Sequence, residues 1–263
     1  MSSKTLDIKI QVWLERILSA VFLLGQVVIH ILRGKINRRN TLEQMGIVGP
    51  DSLGIALITA VFVGAVFTIQ VAREFLNFGA VQAIGGVLAL ALSRELAPVL
   101  TAVVIAARVG SAFAAEIGTM KVTEQIDALY VLKSDPIDYL VVPRVIACCV
   151  MLPILTMISL VMGSIGGIFV ANTIYNISQT TFIESIQDFV QVWDLISAII
   201  KAVIFGGLIA IIGCSWGLTT TGGAKGVGQS TTTAVVMALI AIFISNFFLS
   251  WLMFQGLGRQ FFN

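Results

Sequence analysis

The chain has 263 residues, 57% of them hydrophobic and only 11% charged, with a mean hydropathy of +0.99. A soluble domain carries about 25% charged residues, so this composition cannot cover a water-exposed surface and marks an integral membrane protein. The net charge of +2 is too small to hold nucleic acid, and no linker or charge block divides the chain, which reads as one domain.

At the amino end, Leu6, Ile10, Trp13, Leu14, Ile17, Val21 and Phe22 recur at helical spacing, with Lys9, Glu15, Arg16 and Ser19 opposite. The apolar part is short, holds Gln26 and His30, and runs into the basic stretch 33–39. This pattern predicts a helix lying in the membrane interface, with a sixth span as the alternative. No signal-peptide pattern precedes it. Residues 1–45 are therefore read as an interfacial helix and basic segment, and residues 46–263 as a five-span domain.

A crossing helix needs about 20 mostly apolar residues. Leu53–Ala72, Ile84–Ala107, Val145–Val170, Leu195–Trp216 and Thr233–Phe254 qualify. Twelve of the sixteen Lys and Arg lie before the first span, between Arg108 and Arg144, or at Lys225. By the positive-inside rule these segments and the N-terminus face the cytoplasm, and the C-terminus lies on the other side.

Helices in lipid associate through close packing of small residues. This sequence has such ladders: Ala106, Gly110, Ala114 and Gly118; Gly163, Gly167 and Ala171; Gly213 and Gly217. Cys148, Cys149 and Cys214 fall in apolar runs without metal-ligand spacing and read as packing residues. One histidine, His30, gives no basis for a metal centre or a catalytic cluster.

Within the second span, Arg94 and Glu95 are expensive in lipid and mark function or an interior partner. Adjacent helical residues do not face one another, so each needs a partner elsewhere, and Lys201 is one candidate for Glu95. Pro98 opposes the carbonyl four residues back, that of Arg94, and predicts a kink. An inert interhelical salt bridge explains the same residues.

Between the second and third spans, Thr119, Lys121, Thr123, Glu124, Gln125, Asp127 and Leu129 read as a short helix capped by Thr123 and ended by Asp135-Pro136. Such an element suits docking to a soluble partner, or lies on the membrane as an ordinary surface helix. The glycine-rich stretch Gly222–Ser230 has phosphate-loop spacing at Gly223 and Gly228. Gln229 stands where the motif needs lysine, and no strand precedes it, so it reads as a tight turn rather than a nucleotide site.

Several of these motifs in order resemble the MlaE-type permeases of MCE lipid transport systems. They are Ser93-Arg-Glu-Leu-Ala-Pro-Val99, Ala107-Arg-Val-Gly-Ser-Ala112, Ala115-Glu-Ile-Gly118, Thr123-Glu-Gln-Ile-Asp-Ala-Leu129, Asp135-Pro136 and Pro143-Arg144, within a resemblance running from about Gly46 to Gly258. The wording is most similar to cyanobacterial and plastid members. The resemblance implies an all-α fold and a homodimer bound to two ATPase subunits, which hold the ATP and Mg. An MCE-domain protein sits on the far side. It implies a lipid cavity near Arg94, Glu95, Lys201, Val66 and Ile69, and ATPase coupling through Thr119–Leu129. It further implies a non-catalytic phospholipid or glycolipid permease of a bacterial inner membrane or plastid inner envelope. An ion-coupled secondary transporter is the alternative, though no inverted repeat supports it.

Overall fold

Long apolar runs leave the backbone no solvent partner, so the chain satisfies its peptide groups internally as helices. A computed structural model describes residues 3–34 and 37–256, with side chains for 15–34 and 37–255. All regular structure among these residues is helical. The helices are α1 (Ser3–Leu32), α2 (Arg38–Val48), α3 (Pro50–Asn77), α4 (Ile84–Ala91), α5 (Ala97–Ile105) and α6 (Ser111–Val122). After them come α7 (Gln125–Val131), α8 (Val142–Tyr175), α9 (Gln179–Phe189), α10 (Val192–Leu218) and α11 (Gly223–Trp251).

Among the described residues six helical stretches are long and apolar enough to cross a membrane. Five contain the expected spans and extend beyond them. The sixth, Glu15–Leu32, belongs to α1, the element whose sequence pattern favours an interfacial position. The second expected span is part of a longer helical track, Val81–Val122, interrupted by two π turns, Leu92–Leu96 and Ala106–Gly110. Pro153 does not break α8, which runs through it for 34 residues.

The described fold falls into two compact units. In the first (residues up to 48, 105–148 and 206–241), the expected glycine ladders meet. A Cβ on Gly213 would lie 2.9 Å from the Gly110 carbonyl oxygen, and one on Gly217 would lie 2.8 Å from Ile117. Lipid gives no hydrophobic drive for this contact, so dispersion at close approach holds it. Arg144, 7% exposed, donates to Glu116 at 2.8 Å and to the Leu140 carbonyl at 2.9 Å, and lies over the Phe113 ring. His30 pairs with Asp138, and its Nε2 lies 3.8 Å from Asp135.

The second unit comprises residues 49–104, 149–205 and 242–263, the last of them described as far as 256. Here α3 and α8 approach at Gly64 and Gly163, where a Cβ on Gly64 would lie 1.9 Å from the Gly163 carbonyl oxygen. The Gly163 ladder is among those expected, but its partner on α3 is not, although Ala56, Ala60, Gly64 and Thr68 recur there at the same spacing. The short helix α9, unanticipated, packs on α4: a Cβ on Gly85 would meet Phe182, and Ser185 accepts from the Gly86 amide at 2.8 Å. Phe182 joins Ile84, Leu88 and Leu92 in a buried cluster.

Candidate functional site

Pro98 organises the polar site of the second unit. It lacks the amide hydrogen that an α-helix would direct at the Arg94 carbonyl. The helix answers with the π turn Leu92–Leu96, and Lys201 of α10 donates to that carbonyl at 2.6 Å. The expected kink is therefore a local change of helical register whose freed carbonyl is taken by a lysine.

The Lys201 side chain is completely buried. Besides the Arg94 carbonyl, its ammonium donates to Glu95 Oε1 at 3.0 Å and to Ser250 Oγ at 2.8 Å. All three of its hydrogens are thus placed. Ser250 passes its own hydrogen to Glu95 Oε1 at 2.6 Å, and Asn246 Nδ2 donates to Glu95 Oε2 at 2.7 Å. Asn246 and Ser250, both from α11, escape the sequence reading of this site. One signal was available: Asn246 is the main polar residue of its span.

Arg94 points to a different carboxylate. Its Nε donates to Asp194 Oδ1 at 2.7 Å. Asp194 is 1% exposed, and its other oxygen accepts from the Gln191 amide at 2.9 Å. This is the reciprocal half of a capping box at the start of α10. Asp194 thus closes a helix end and balances a charge. Sequence reasoning misses it, because an aspartate at the end of a span looks like any interfacial residue.

Two cations face two carboxylates here: Arg94 and Lys201 against Glu95 and Asp194. The cluster is neutral overall, yet Arg94 spends only Nε on it. No described residue accepts from its terminal amino groups, and its side chain is 39% exposed. The guanidinium lies 4.6 Å over the Phe254 ring. An open cleft of about 370 Å³ adjoins it, lined by Arg94, Glu95, Phe247, Ser250, Trp251 and Phe254. A forked cation beside aromatic walls matches a ligand that is anionic or hydroxylated at one end and apolar at the other.

The other expected site residues lie elsewhere. Val66 and Ile69 do not line this cleft; they are exposed on α3, in a stripe with Ile55, Ile58 and Phe62. In the first unit, Thr119–Leu129 is not one helix. Its first four residues, through Val122, end α6; Thr123 returns its hydroxyl to the Thr119 carbonyl at 2.8 Å; and α7 starts at Gln125. Thr123 therefore closes α6 and does not cap α7. The N-cap of α7 is Glu124, in the left-handed region at φ 61°. Lys121 reaches Asp127 across the break at 3.3 Å. Thr119, Thr123, Glu124, Gln125 and Asp127 are exposed, as is Leu129 in part, and Ile126 anchors the segment at 2% exposure. Asp135 does not end α7: it accepts from the Ile137 amide at 2.9 Å, at the start of the helical stretch Ile137–Tyr175.

A profile of the family described as Permease MlaE matches residues 41–252. The chain belongs to the MlaE permease family. It is 67% identical over 258 residues to "Probable ABC transporter permease protein slr1045" of Synechocystis sp., covering 98% of each chain. It is 54% identical over 246 residues to "Protein TRIGALACTOSYLDIACYLGLYCEROL 1, chloroplastic" of Arabidopsis thaliana, covering 94% of this chain and 70% of that protein. With "Probable ABC transporter permease protein ycf63" of Pyropia yezoensis it shares 48% over 255 residues, 97% of each. The Pro98 turn, Arg94, Glu95, Lys201 and Asp194 all fall inside the matched span of this MlaE permease.

Proposed function

We propose that the chain is the membrane-spanning permease of an ATP-binding-cassette transporter that moves a phospholipid or glycolipid between membranes. It works as a homodimer with two ATPase subunits, which bind ATP and Mg, and with an MCE-domain protein that carries the lipid onward. The relatives' names as ABC permeases and as a trigalactosyldiacylglycerol protein support this reading. Among the chain's own features, the observation that carries it is Arg94: a cation whose terminal amino groups have no acceptor among the described residues, beside the aromatic wall of Phe247, Trp251 and Phe254.

In this reading Arg94 orients a phosphate or sugar head while the aromatic wall receives the tails. Asp194 holds the guanidinium in place, Lys201 holds the Arg94 carbonyl and Glu95 holds Lys201, and the chain itself performs no covalent chemistry. The exposed segment around Glu124 and Asp127 receives the ATPase, whose closure moves the helices that bear the site. The basic segments and the N-terminus face the cytoplasm or stroma, in a bacterial inner membrane or a plastid inner envelope.

The test is lipid transfer between vesicles by the complex reconstituted with its ATPase and MCE partners. Wild type transfers lipid on ATP addition, and Arg94→Ala lowers the rate about tenfold by removing a charge-assisted contact. Arg94→Ala transfer at the wild-type rate overturns the site. Transfer that ignores ATP and follows an ion gradient overturns the ABC reading in favour of a secondary transporter.

A further inference from the structure

The glycine-rich stretch that ends the turn after α10 has a second use. We propose that the amino end of α11, with Arg16 and Lys225, binds the phosphate group of a membrane phospholipid or a free phosphate, at a site separate from the Arg94 cleft.

Only the turn through Gly222 is non-helical; α11 starts at Gly223 and continues for 29 residues. Gly222 and Gly223 adopt φ of +88° and +64°, which lets the chain reverse into the helix. Gly226 is required because a Cβ there would lie 1.8 Å from the Thr221 carbonyl oxygen. The expectation of a turn across residues 222–230 thus gives way to a long helix with a bare, glycine-rich first turn. Such an end carries unpaired amides and a partial positive charge, and phosphate groups bind there.

A helix end alone is not a site, but more lies around this one. It borders an open cleft of about 850 Å³ lined by Arg16 of α1 together with Lys225, Gly228, Gln229 and Ser230. Among the described residues no carboxylate lines it. Ser230 is 3% exposed, lines the cleft and has no hydrogen bond to any described residue. Its neighbours Thr231, Thr232 and Thr233 all return their hydroxyls to their own helix; Ser230 alone in this run keeps a donor for the cleft. Gly228 borders the same space, and a Cβ there would meet nothing within 4 Å, so the absence of a side chain keeps this part of the cleft open. Two cations and the hydroxyl of a largely buried serine line one cleft beside the amino end of a helix, with no carboxylate of the described residues in the lining. The missing motif lysine at Gln229 still argues against a nucleotide, and Arg16 on a membrane-associated helix favours a headgroup.

The experiment is native mass spectrometry of the full-length chain in detergent, in wild type and in an Arg94→Ala background that removes the proposed transport site. Failure of one reading then leaves the other standing. The probes are dihexanoyl phosphatidylglycerol, inorganic phosphate and, as the phosphate-free control, dihexanoylglycerol. Phosphatidylglycerol adducts fall about tenfold in Lys225→Ala, which removes a charge-assisted contact, and also in Gly228→Leu, which fills open space and keeps every charge. Retention of the lipid against excess inorganic phosphate assigns a headgroup; displacement by it, with phosphate adducts, assigns free phosphate. Equal adducts in all variants, or equal binding of dihexanoylglycerol, overturn the proposal. Should Lys225→Ala lose its fold, as read by gel filtration, Gly228→Leu decides alone.

Discussion

Lys201 shows how a buried charge is kept in a membrane helix: each hydrogen of its ammonium has a named acceptor. Removing the anion is then worse than removing the cation. Glu95→Ala leaves a fully buried ammonium with no counter-charge and should destabilise the fold by about 3 kcal/mol or more. Lys201→Met leaves a partly exposed Glu95 still held by Ser250 and Asn246 and should cost less. Thermal unfolding in detergent ranks the two, and the reverse order would contradict this account. The Glu95–Lys201 pair is legible in the sequence because two lone charges in apolar runs have few alternative partners. Asp194 is not legible, since its role depends on which helix end the arginine reaches.

Among the elements, the apolar spans can be read from composition, whereas their interruptions cannot. A π turn leaves no compositional mark, and Pro98 alone predicts only a defect. The close approach of α3 and α8 escapes the sequence reading although Gly64 has a ladder of its own: Ser52, Ala56, Ala60, Gly64, Thr68 and Ala72 recur every four residues, and spacing alone does not say which ladder meets which. Gly64→Ala should destabilise by about 1–3 kcal/mol, since its Cβ would meet backbone that cannot yield. Gly54→Ala on the same helix, with nothing within 4 Å, should be neutral or slightly stabilising; matched denaturation curves check the contrast. The cap of α7 escapes sequence reasoning because Thr123 suits either end of a helix and chemistry alone does not choose. Its actual cap, Glu124, holds a left-handed backbone that costs a non-glycine residue about 1–2 kcal/mol. Glu124→Gly should therefore raise thermal stability. If the exposed segment receives the ATPase, the same substitution lowers ATP-stimulated transfer as the hinge softens; unchanged transfer with raised stability would detach Glu124 from coupling.

For the molecule as a whole, the all-helical membrane class comes from a charge content too low for a water-facing surface, and the family from motifs in order. Partners leave weaker traces, because a docking face is written in exposed residues that serve solubility equally well. Affinity purification from native membranes in mild detergent should recover an ATPase subunit and a bound diacyl lipid. A chain that purifies alone, even after crosslinking through Thr123→Cys, would count against the assembly. Topology has its own check. Asp127→Cys should react with an impermeant maleimide only from the cytoplasmic or stromal side, and Asp188→Cys only from the opposite side. The converse pattern would invert the orientation drawn from the basic residues.

The missing hydrogen at Pro98 also ties together the histories of distant positions. Lys201 answers a carbonyl that Pro98 orphaned, and Glu95 answers Lys201, so each substitution changes the selective value of the next. In a Pro98→Ala background the Arg94 carbonyl regains a donor within its own helix, and Lys201→Met should cost less stability than it does beside Pro98. One imino ring thereby couples positions more than a hundred residues apart in the chain.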